Sequence, residues 1–197
     1  MMAAANILRR FVVSARGVAA IEFALVLPFL LLVFLASFDA GNAIAIYLKV
    51  RSATFALGAI TNTYNNSSDP IQATDMTSIT SATSAILAPY SSSPIVITIT
   101  QIKATSATAA TVSWSYSLNG TAYAQGSPWT KFPSQLTLNN PCSSYTPGCY
   151  LIFAEVKYTF TPSFGYFITG PIALYDNVYV VPRTSTCIVY VPQGSTC

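Results

Sequence analysis

The segment from Arg16 to Phe38, RGVAAIEFALVLPFLLLVFLASF, constrains the fold of this chain more than any other part of its sequence. Its last 21 residues, from Val18 onward, contain a single charged side chain, Glu22. A helix rises ~1.5 Å per residue, so these residues would extend about 31 Å. This length matches the ~30 Å hydrocarbon core of a bilayer. The sequence therefore predicts a helix that spans a membrane.

Basic residues before this segment predict its orientation. Arg9, Arg10 and Arg16 all precede Gly17, whereas the rest of the chain balances six basic residues against six acidic ones. Because an excess of arginine next to a span is typical of its cytoplasmic side, we expect the N-terminus in the cytoplasm and the remainder outside. A secretory signal has a shorter apolar stretch of ~7 to 15 residues, so we expect the helix to be retained.

The helical pattern continues beyond the apolar segment. Its apolar positions recur at spacings of 4, 3, 4 and 3, namely Ala43, Tyr47, Val50, Thr54 and Leu57. This spacing predicts one amphipathic stripe along a single helix from Val18 to about Ile60. The second half of that helix would leave the membrane and carry a globular domain.

A polar break, TNTYNNSSD, follows the long helix. Asp69 before Pro70 is typical of an N-cap followed by proline at the first helical position, and predicts a second helix that ends before Pro89. The sequence predicts that Ile71 belongs to the buried stripe of this helix.

From Pro94 onward the apolar period becomes two and predicts four strands, over residues 95–100, 111–118, 150–160 and about 174–181. We expect the first two to form a hairpin. The third should turn one apolar face inward, with Glu155 and Lys157 on a solvated charged face. The connection 127–141 is predicted to be a loop anchored by Trp129 and Phe132, and the aromatic segment 161–172 either a packed loop or an exposed patch for a partner.

Residues that carry chemistry are sparse. The sequence has no histidine, no glycine-rich phosphate loop and no paired carboxylates, so we expect neither an enzyme nor a metal or cofactor site. The charge balance after Gly17 likewise predicts no nucleic-acid binding. A membrane-anchored hydrolase is disfavoured because no nucleophile has a base in a recognisable motif.

The four cysteines lie in the C-terminal third, and their even number favours disulfides in an oxidising compartment. They lack the close C-x-x-C pairs of zinc sites. Four cysteines allow three connectivities, of which proximity favours Cys142 with Cys149 and Cys187 with Cys197.

The most informative constellation is Gly17, Val18, Glu22 and Phe23. A small residue after a basic leader provides an accessible peptide bond at the membrane face. A carboxylate five residues into an apolar helix needs a cationic partner, because an unpaired charge at that depth is costly. The amine of Val18, freed by cleavage, would be such a partner.

The segment from Arg16 to Pro28, RGVAAIEFALVLP, resembles the N-terminus of TadE-like pseudopilins from bacterial tight-adherence pili, a branch of the type IV pilin superfamily. Two later segments, VKYTFTPSFGYF and VYVVPR, resemble the C-terminal region of that family. The resemblance implies a prepilin that a membrane prepilin peptidase cuts between Gly17 and Val18. It also implies that Glu22 pairs with the N-terminal amine of a neighbouring subunit and sets the register between them.

The expected fold is α+β and pilin-like: a long N-terminal transmembrane helix, a second shorter helix and an antiparallel sheet of about four strands. We expect a leader at residues 1–17, a long helix at 18–60 whose part 18–38 lies in the membrane, and an extracytoplasmic domain at 61–197. Flp-type major subunits resemble little more than the helix, so this domain implies a minor, tip or priming subunit.

The resemblance implies a place in the inner membrane, as a single pass with the domain in the periplasm or outside the cell. The expected partners are the prepilin peptidase, other pilus subunits and the assembly platform, and the expected function is pilus assembly, surface adhesion and biofilm formation. The alternative is a single-pass anchored extracytoplasmic domain that binds a ligand and has no pilus role.

Overall fold

The computed structural model describes residues 15–65, 68–91, 93, 95–105, 109–131, 149–165 and 170–195. The chain divides into two compact units. The first comprises Met1–Ala43 and Thr161–Gly170, and the second Ile44–Phe160 and Pro171–Cys197. Most of the leader, residues 1–14, lies outside the described residues, as do Phe132, Cys142 and Cys197.

The described residues form two α-helices, five strands and one short 3-10 helix. The helices are α1 (Ala15–Thr61) and α2 (Ala73–Ala85). The strands are β1 (Ile95–Ala104), β2 (Ala110–Leu118), β3 (Pro128–Trp129), β4 (Tyr150–Phe160) and β5 (Ile172–Val180), and the 3-10 helix is Val191–Gln193. The predicted α+β class with one long and one shorter helix is confirmed.

Helix α1 closely matches its prediction. It has 47 residues, begins at Ala15 rather than Val18 and ends one residue after Ile60. In the second unit Val50, Thr54 and Leu57 of its predicted apolar stripe have no exposed surface. Tyr47, predicted in the same stripe, is 38% exposed, and its neighbour Ile46 is buried instead. The periodicity of the sequence therefore locates the helix and most of its packed face.

Helix α2 begins later than predicted. Its N-cap is Gln72 rather than Asp69, and the backbone N–H of Gln72 donates to Oδ2 of Asp75 at 2.7 Å. Ile71, expected inside the helix, instead forms an isolated parallel bridge with Tyr190. Its N–H donates to the carbonyl of Val189 at 2.9 Å, so the chain is extended here and the helix begins only after the bridge.

The five strands form one antiparallel sheet in the order β3-β2-β1-β4-β5. The predicted hairpin of β1 and β2 is confirmed, with Ile99 opposite Tyr116. Strand β3 is an addition to the four predicted strands, because Trp129 pairs with Ala110 at the sheet edge instead of lying in a loop. An antiparallel sheet of about four strands thus becomes one of five.

The helix side of the sheet is packed closely in the second unit. A Cβ on Gly58 would lie 3.2 Å from Val178 and 3.3 Å from Val180, so α1 approaches β5 there through a residue with no side chain. Trp114 on β2 is fully buried, and its indole N–H donates to the carbonyl of Ile188 at 2.8 Å. Helix α1 and the segment before the 3-10 helix therefore contribute to the core.

The opposite side of the sheet is also covered, which the alternation of β4 did not predict. A second buried cluster there comprises Ile102, Ala110, Val112, Trp129, Leu151 and Phe153. The ring of Trp129 lies 4.8 Å from that of Phe153, edge to face. Because residues from the loop after β2 lie over this side, β4 is buried on both faces over most of its length.

Candidate functional site

The apolar half of α1 is exposed in the first unit. Its large side chains from Val18 to Phe38 are mostly accessible, with Phe29 at 70% and Leu25 at 68%. Among the described residues, α1 is the one helix that is long and apolar enough to cross a membrane, and its most apolar window is not buried inside the protein. A core helix of a soluble domain would be covered. This surface therefore requires lipid or other helices.

The four residues of the predicted processing and register site lie together at the start of α1. The peptide bond between Gly17 and Val18 falls in its first turn, and both Glu22 and Phe23 are exposed. No hydrogen bond or ion pair reaches the Glu22 carboxylate from the side chains that the structure describes. Cleavage before Val18 and the register contact of Glu22 stay predictions.

A second carboxylate on α1, which the sequence did not single out, has well-defined partners. Asp39 lies directly after the apolar segment and is only 4% exposed. Its two oxygens accept backbone N–H groups from Ser163 at 3.0 Å and from Phe164 and Gly165 at 3.3 Å each. Such charge-assisted bonds compensate a buried carboxylate for the water it has lost. We call Asp39 and Ser163–Gly165 the Asp39 turn.

Backbone conformation explains how three successive N–H groups reach one carboxylate. Gly165 has a φ of 64°, in the left-handed region that glycine adopts without steric cost. Successive N–H groups in such turns point toward a common centre and form an anion-binding concavity. Residues 161–165 of the β4–β5 connection are thus held to α1 by their backbone.

Two aromatic side chains at this turn are exposed. The rings of Phe38 and Phe164 lie 5.6 Å apart, edge to face, and the two side chains are 49% and 45% exposed. We call these two residues the aromatic patch. The described part of the aromatic segment 161–172 is therefore bonded to Asp39 of α1 through its backbone, whereas its Phe164 side chain is exposed. Tyr166 and Phe167 lie outside the described residues.

The prediction of a solvated charged face on β4 is wrong for Glu155. This residue is 3% exposed, and its carboxylate accepts bonds from the Tyr123 hydroxyl at 2.9 Å and from Lys131 and the Tyr175 hydroxyl at 3.2 Å each. Lys131 also donates to the Tyr123 hydroxyl. The loop after β2 covers this part of the sheet, and only Lys157 stays exposed as predicted.

The electrostatics of this cluster favour a structural role. Burial by itself would lower the pKa of Lys131, but its hydrogen bonds to Tyr123 and Glu155 and the charge of Glu155 raise that pKa to about 12. Burial, together with the Glu155 charge, raises the pKa of Tyr175 to about 12. Lys131 is therefore protonated and Tyr175 neutral at physiological pH, and neither is poised as a nucleophile or general base.

A groove of about 650 Å³ beside α2 offers no catalytic group either. Its lining has no carboxylate, amine or thiol, and consists of Ser, Thr, Ala, Leu and two tyrosines, Tyr90 and Tyr116. The hydroxyls of Thr80 and Ser84 donate to carbonyl groups one turn earlier in the helix. Across the described ranges, no group of three or more His, Cys, Asp or Glu residues is placed to hold a metal ion.

The described cysteines are oxidised. Cys149 and Cys187 are both disulfide-bonded, and no free cysteine occurs among the described residues. Cys142 and Cys197, the predicted partners, lie outside the described residues. The pairing of Cys142 with Cys149 and of Cys187 with Cys197 stays a prediction.

Comparison with known proteins gives a match at the N-terminal part of the chain, which contains the predicted processing and register site. Residues 17–56 match the model of a family described as TadE-like protein. The match includes Gly17, Val18, Glu22, Phe23 and Asp39, and the family resemblance predicted from the N-terminal segment is thereby confirmed. The match covers 40 of the 197 residues, all of them in α1. No curated protein and no solved structure matches the chain.

Proposed function

We propose that this protein is a minor pilin-like subunit that supports assembly of a tight-adherence, Flp-type pilus, and through it surface adhesion and biofilm formation. The observation that carries the proposal is the Glu22 carboxylate on the exposed apolar surface of α1, within the segment that matches the TadE-like family. A charge placed there is unfavourable unless assembly provides its partner.

In this proposal the inner membrane first holds the apolar half of α1. A prepilin peptidase then removes residues 1–17 and leaves a new α-amine on Val18. That amine is a cation on the first residue of the mature helix, where the uncut chain has the uncharged peptide nitrogen of Val18. Cleavage thus creates the charge that Glu22 of a neighbouring subunit needs.

Pairing between Glu22 and the Val18 amine would fix the axial register of adjacent helices. In an apolar bundle an unpaired carboxylate is strongly unfavourable, so positions along the helix that leave Glu22 without a cation are excluded. The surrounding apolar side chains, Phe23 among them, would pack between helices without preferring one register. The charge therefore supplies specificity and the apolar surface supplies the contact area.

The domain after the helix is proposed to face the periplasm or the cell exterior. The oxidised state of Cys149 and Cys187 supports this orientation, because disulfides persist in oxidising compartments and are rare in the cytoplasm. The size of this domain supports a minor, tip or priming subunit. Its proposed partners are other pilus subunits and the inner-membrane assembly platform.

The decisive variants remove or move the carboxylate in cells that make the pilus. Glu22→Ala should abolish pilus formation and surface attachment while the protein still accumulates in the membrane fraction. The matched variant Glu22→Phe/Phe23→Glu keeps composition and charge but displaces the carboxylate by one residue, and it should fail as well.

Immunoblotting of membrane fractions provides the control for expression, and electron microscopy counts the pili. If Glu22→Ala cells make normal numbers of pili, the register contact is refuted. The anchored binding domain without a pilus role would then be the better account, since a simple anchor is indifferent to that carboxylate.

A further inference from the structure

We propose that the aromatic patch, Phe38 and Phe164, contacts the lipid bilayer at the extracytoplasmic end of the span, with the Asp39 turn holding Phe164 in place. This inference rests on the membrane-anchored state of the proposed function. It adds a second protein segment, the start of the β4–β5 connection, to the part of the chain that meets lipid.

The position of the patch is the first argument. Phe38 is the last residue of the apolar segment, and Phe164 lies against it with 45% of its surface exposed. The patch therefore continues the exposed apolar surface of α1 at its extracytoplasmic end. In helices that lie at a membrane surface, apolar side chains such as phenylalanine are buried in the boundary between headgroups and acyl chains.

The hydrogen bonds of the turn's backbone N–H groups also fit a position at the membrane. Backbone N–H groups that enter a water-poor layer must have hydrogen-bond partners, because each unpaired group is costly there. Asp39 accepts the N–H groups of Ser163, Phe164 and Gly165, so these three groups have partners without water. The same bonds replace the hydration that the buried Asp39 carboxylate has lost. Asp39 is the only charged residue between Glu22 and Lys49.

The segment that contributes Phe164 to the patch is uncharged, which also favours contact with lipid. The sequence from Thr161 to Gly170 contains no charged side chain. A patch built for a charged protein partner would be expected to carry complementary charges at its rim. Lipid is favoured over a second copy of the chain because the patch is continuous with the surface that the membrane covers before assembly.

The test uses the full chain reconstituted into phosphatidylcholine vesicles. Phe164→Trp introduces a reporter, while the native Trp114 and Trp129 are 0% and 6% exposed and set the background emission. The vesicles contain lipids brominated near the carbonyl end of the acyl chain, lipids brominated near its middle, or no bromine. We expect a blue-shifted reporter that loses emission most strongly with the shallow bromines.

Phe29→Trp separates this inference from the proposed function. Phe29 is 70% exposed in the middle of the span, so its reporter should lose most emission with the deep bromines. If Phe29→Trp is quenched and Phe164→Trp is not, the patch proposal is overturned and the membrane span stands. If neither is quenched, the membrane-anchored state fails as well.

Two further results test how the patch works. Adding Asp39→Ala to Phe164→Trp should shift the emission to the red and remove the shallow quenching, and an unchanged urea midpoint would show that the domain remains folded. Quenching that persists after Asp39→Ala would refute the role of the turn. A blue-shifted but unquenched Phe164→Trp reporter would indicate another copy of the chain on the patch and overturn the proposal.

Discussion

The buried carboxylate of Glu155 yields the most quantitative prediction about the domain. Glu155→Gln keeps the shape of the side chain but removes its charge and one of its two acceptor oxygens. The donors from Tyr123, Lys131 and Tyr175 then compete for a single oxygen. The new amide N–H groups can be accepted by the two hydroxyls but not by the Lys131 ammonium, which has no acceptor. The substitution should therefore destabilise the fold.

The size of the effect follows from the contacts. Hydrogen bonds to a charged group contribute about 1.5–3 kcal/mol each, whereas removing one member of a buried ion pair costs about 3–5 kcal/mol. Lys131 is 39% exposed and recovers part of its solvation from water, which reduces the loss. We expect Glu155→Gln to lower the free energy of unfolding by about 1–2 kcal/mol and Glu155→Ala by about 3 kcal/mol.

Urea titration of the full chain in mild detergent measures this loss. The buried indoles of Trp114 and Trp129 report unfolding, and Trp129 lies in the cluster beside Glu155. With a urea slope of about 2 kcal/mol/M, a loss of that size moves the midpoint of Glu155→Gln down by about 0.5–1 M. The matched control is Lys157→Gln, an exposed charge two residues along the strand, whose effect should stay within about 0.5 kcal/mol.

A double-mutant cycle locates the loss. If Lys131→Met is combined with Glu155→Gln, the two effects should be non-additive by about 1 kcal/mol, because the residues share one ion pair. Equal midpoints for Glu155→Gln, Lys157→Gln and the parent protein would refute the reasoning. They would mean that Glu155 is solvated, as the sequence alone had predicted.

Two further predictions concern alkaline pH and the disulfides. Folding raises the pKa values of Lys131 and Tyr175 to about 12, above their ordinary 10.5 and 10.0, so the folded protein binds more protons at high pH. The stability that these two groups contribute is therefore present below about pH 10 and lost as the pH rises toward 12. The urea midpoint of the parent protein should fall over that range, and the midpoint of Lys131→Met should fall less. A midpoint of the parent protein that does not change with pH would contradict this. Peptide mapping without reduction should find Cys142 linked to Cys149 and Cys187 linked to Cys197. A peptide that links either of the first two cysteines to either of the last two would contradict this prediction.

Local periodicity explains why much of the fold was predictable. A stripe repeating every three or four residues predicted α1 to within three residues at its start and one at its end. Alternation predicted the β1–β2 hairpin and strand β4. These signals depend on neighbours a few residues apart, which a single sequence displays directly.

The start of α2 and the edge strand β3 were not predictable in the same way. Asp69-Pro70 has the composition of a helix start, but the bridge between Ile71 and Tyr190 holds the chain extended beyond it. Trp129 became part of a strand only because Ala110 offers a free edge. In both cases a contact distant in sequence overrides the local preference.

The two buried carboxylates show the same limit at the level of sites. The donors to Glu155 lie 20, 24 and 32 residues away and converge only when the sheet and the loop after β2 are formed. The donors to Asp39 are backbone amides more than 120 residues away, and a backbone amide leaves no mark in a sequence. Glu22, by contrast, was recognisable from the sequence because it is a charged residue among apolar neighbours, and those neighbours are adjacent in the sequence.

The most direct test of the central claim is the mass of the mature protein, extracted from the membranes of cells that contain the prepilin peptidase. The proposed processing predicts an intact mass and an N-terminal peptide that begin at Val18, with residues 1–17 removed. The same protein from cells without the peptidase should retain those residues. A chain that still begins at Met1 when the peptidase is present would contradict processing at Gly17, and with it the amine that Glu22 is proposed to bind.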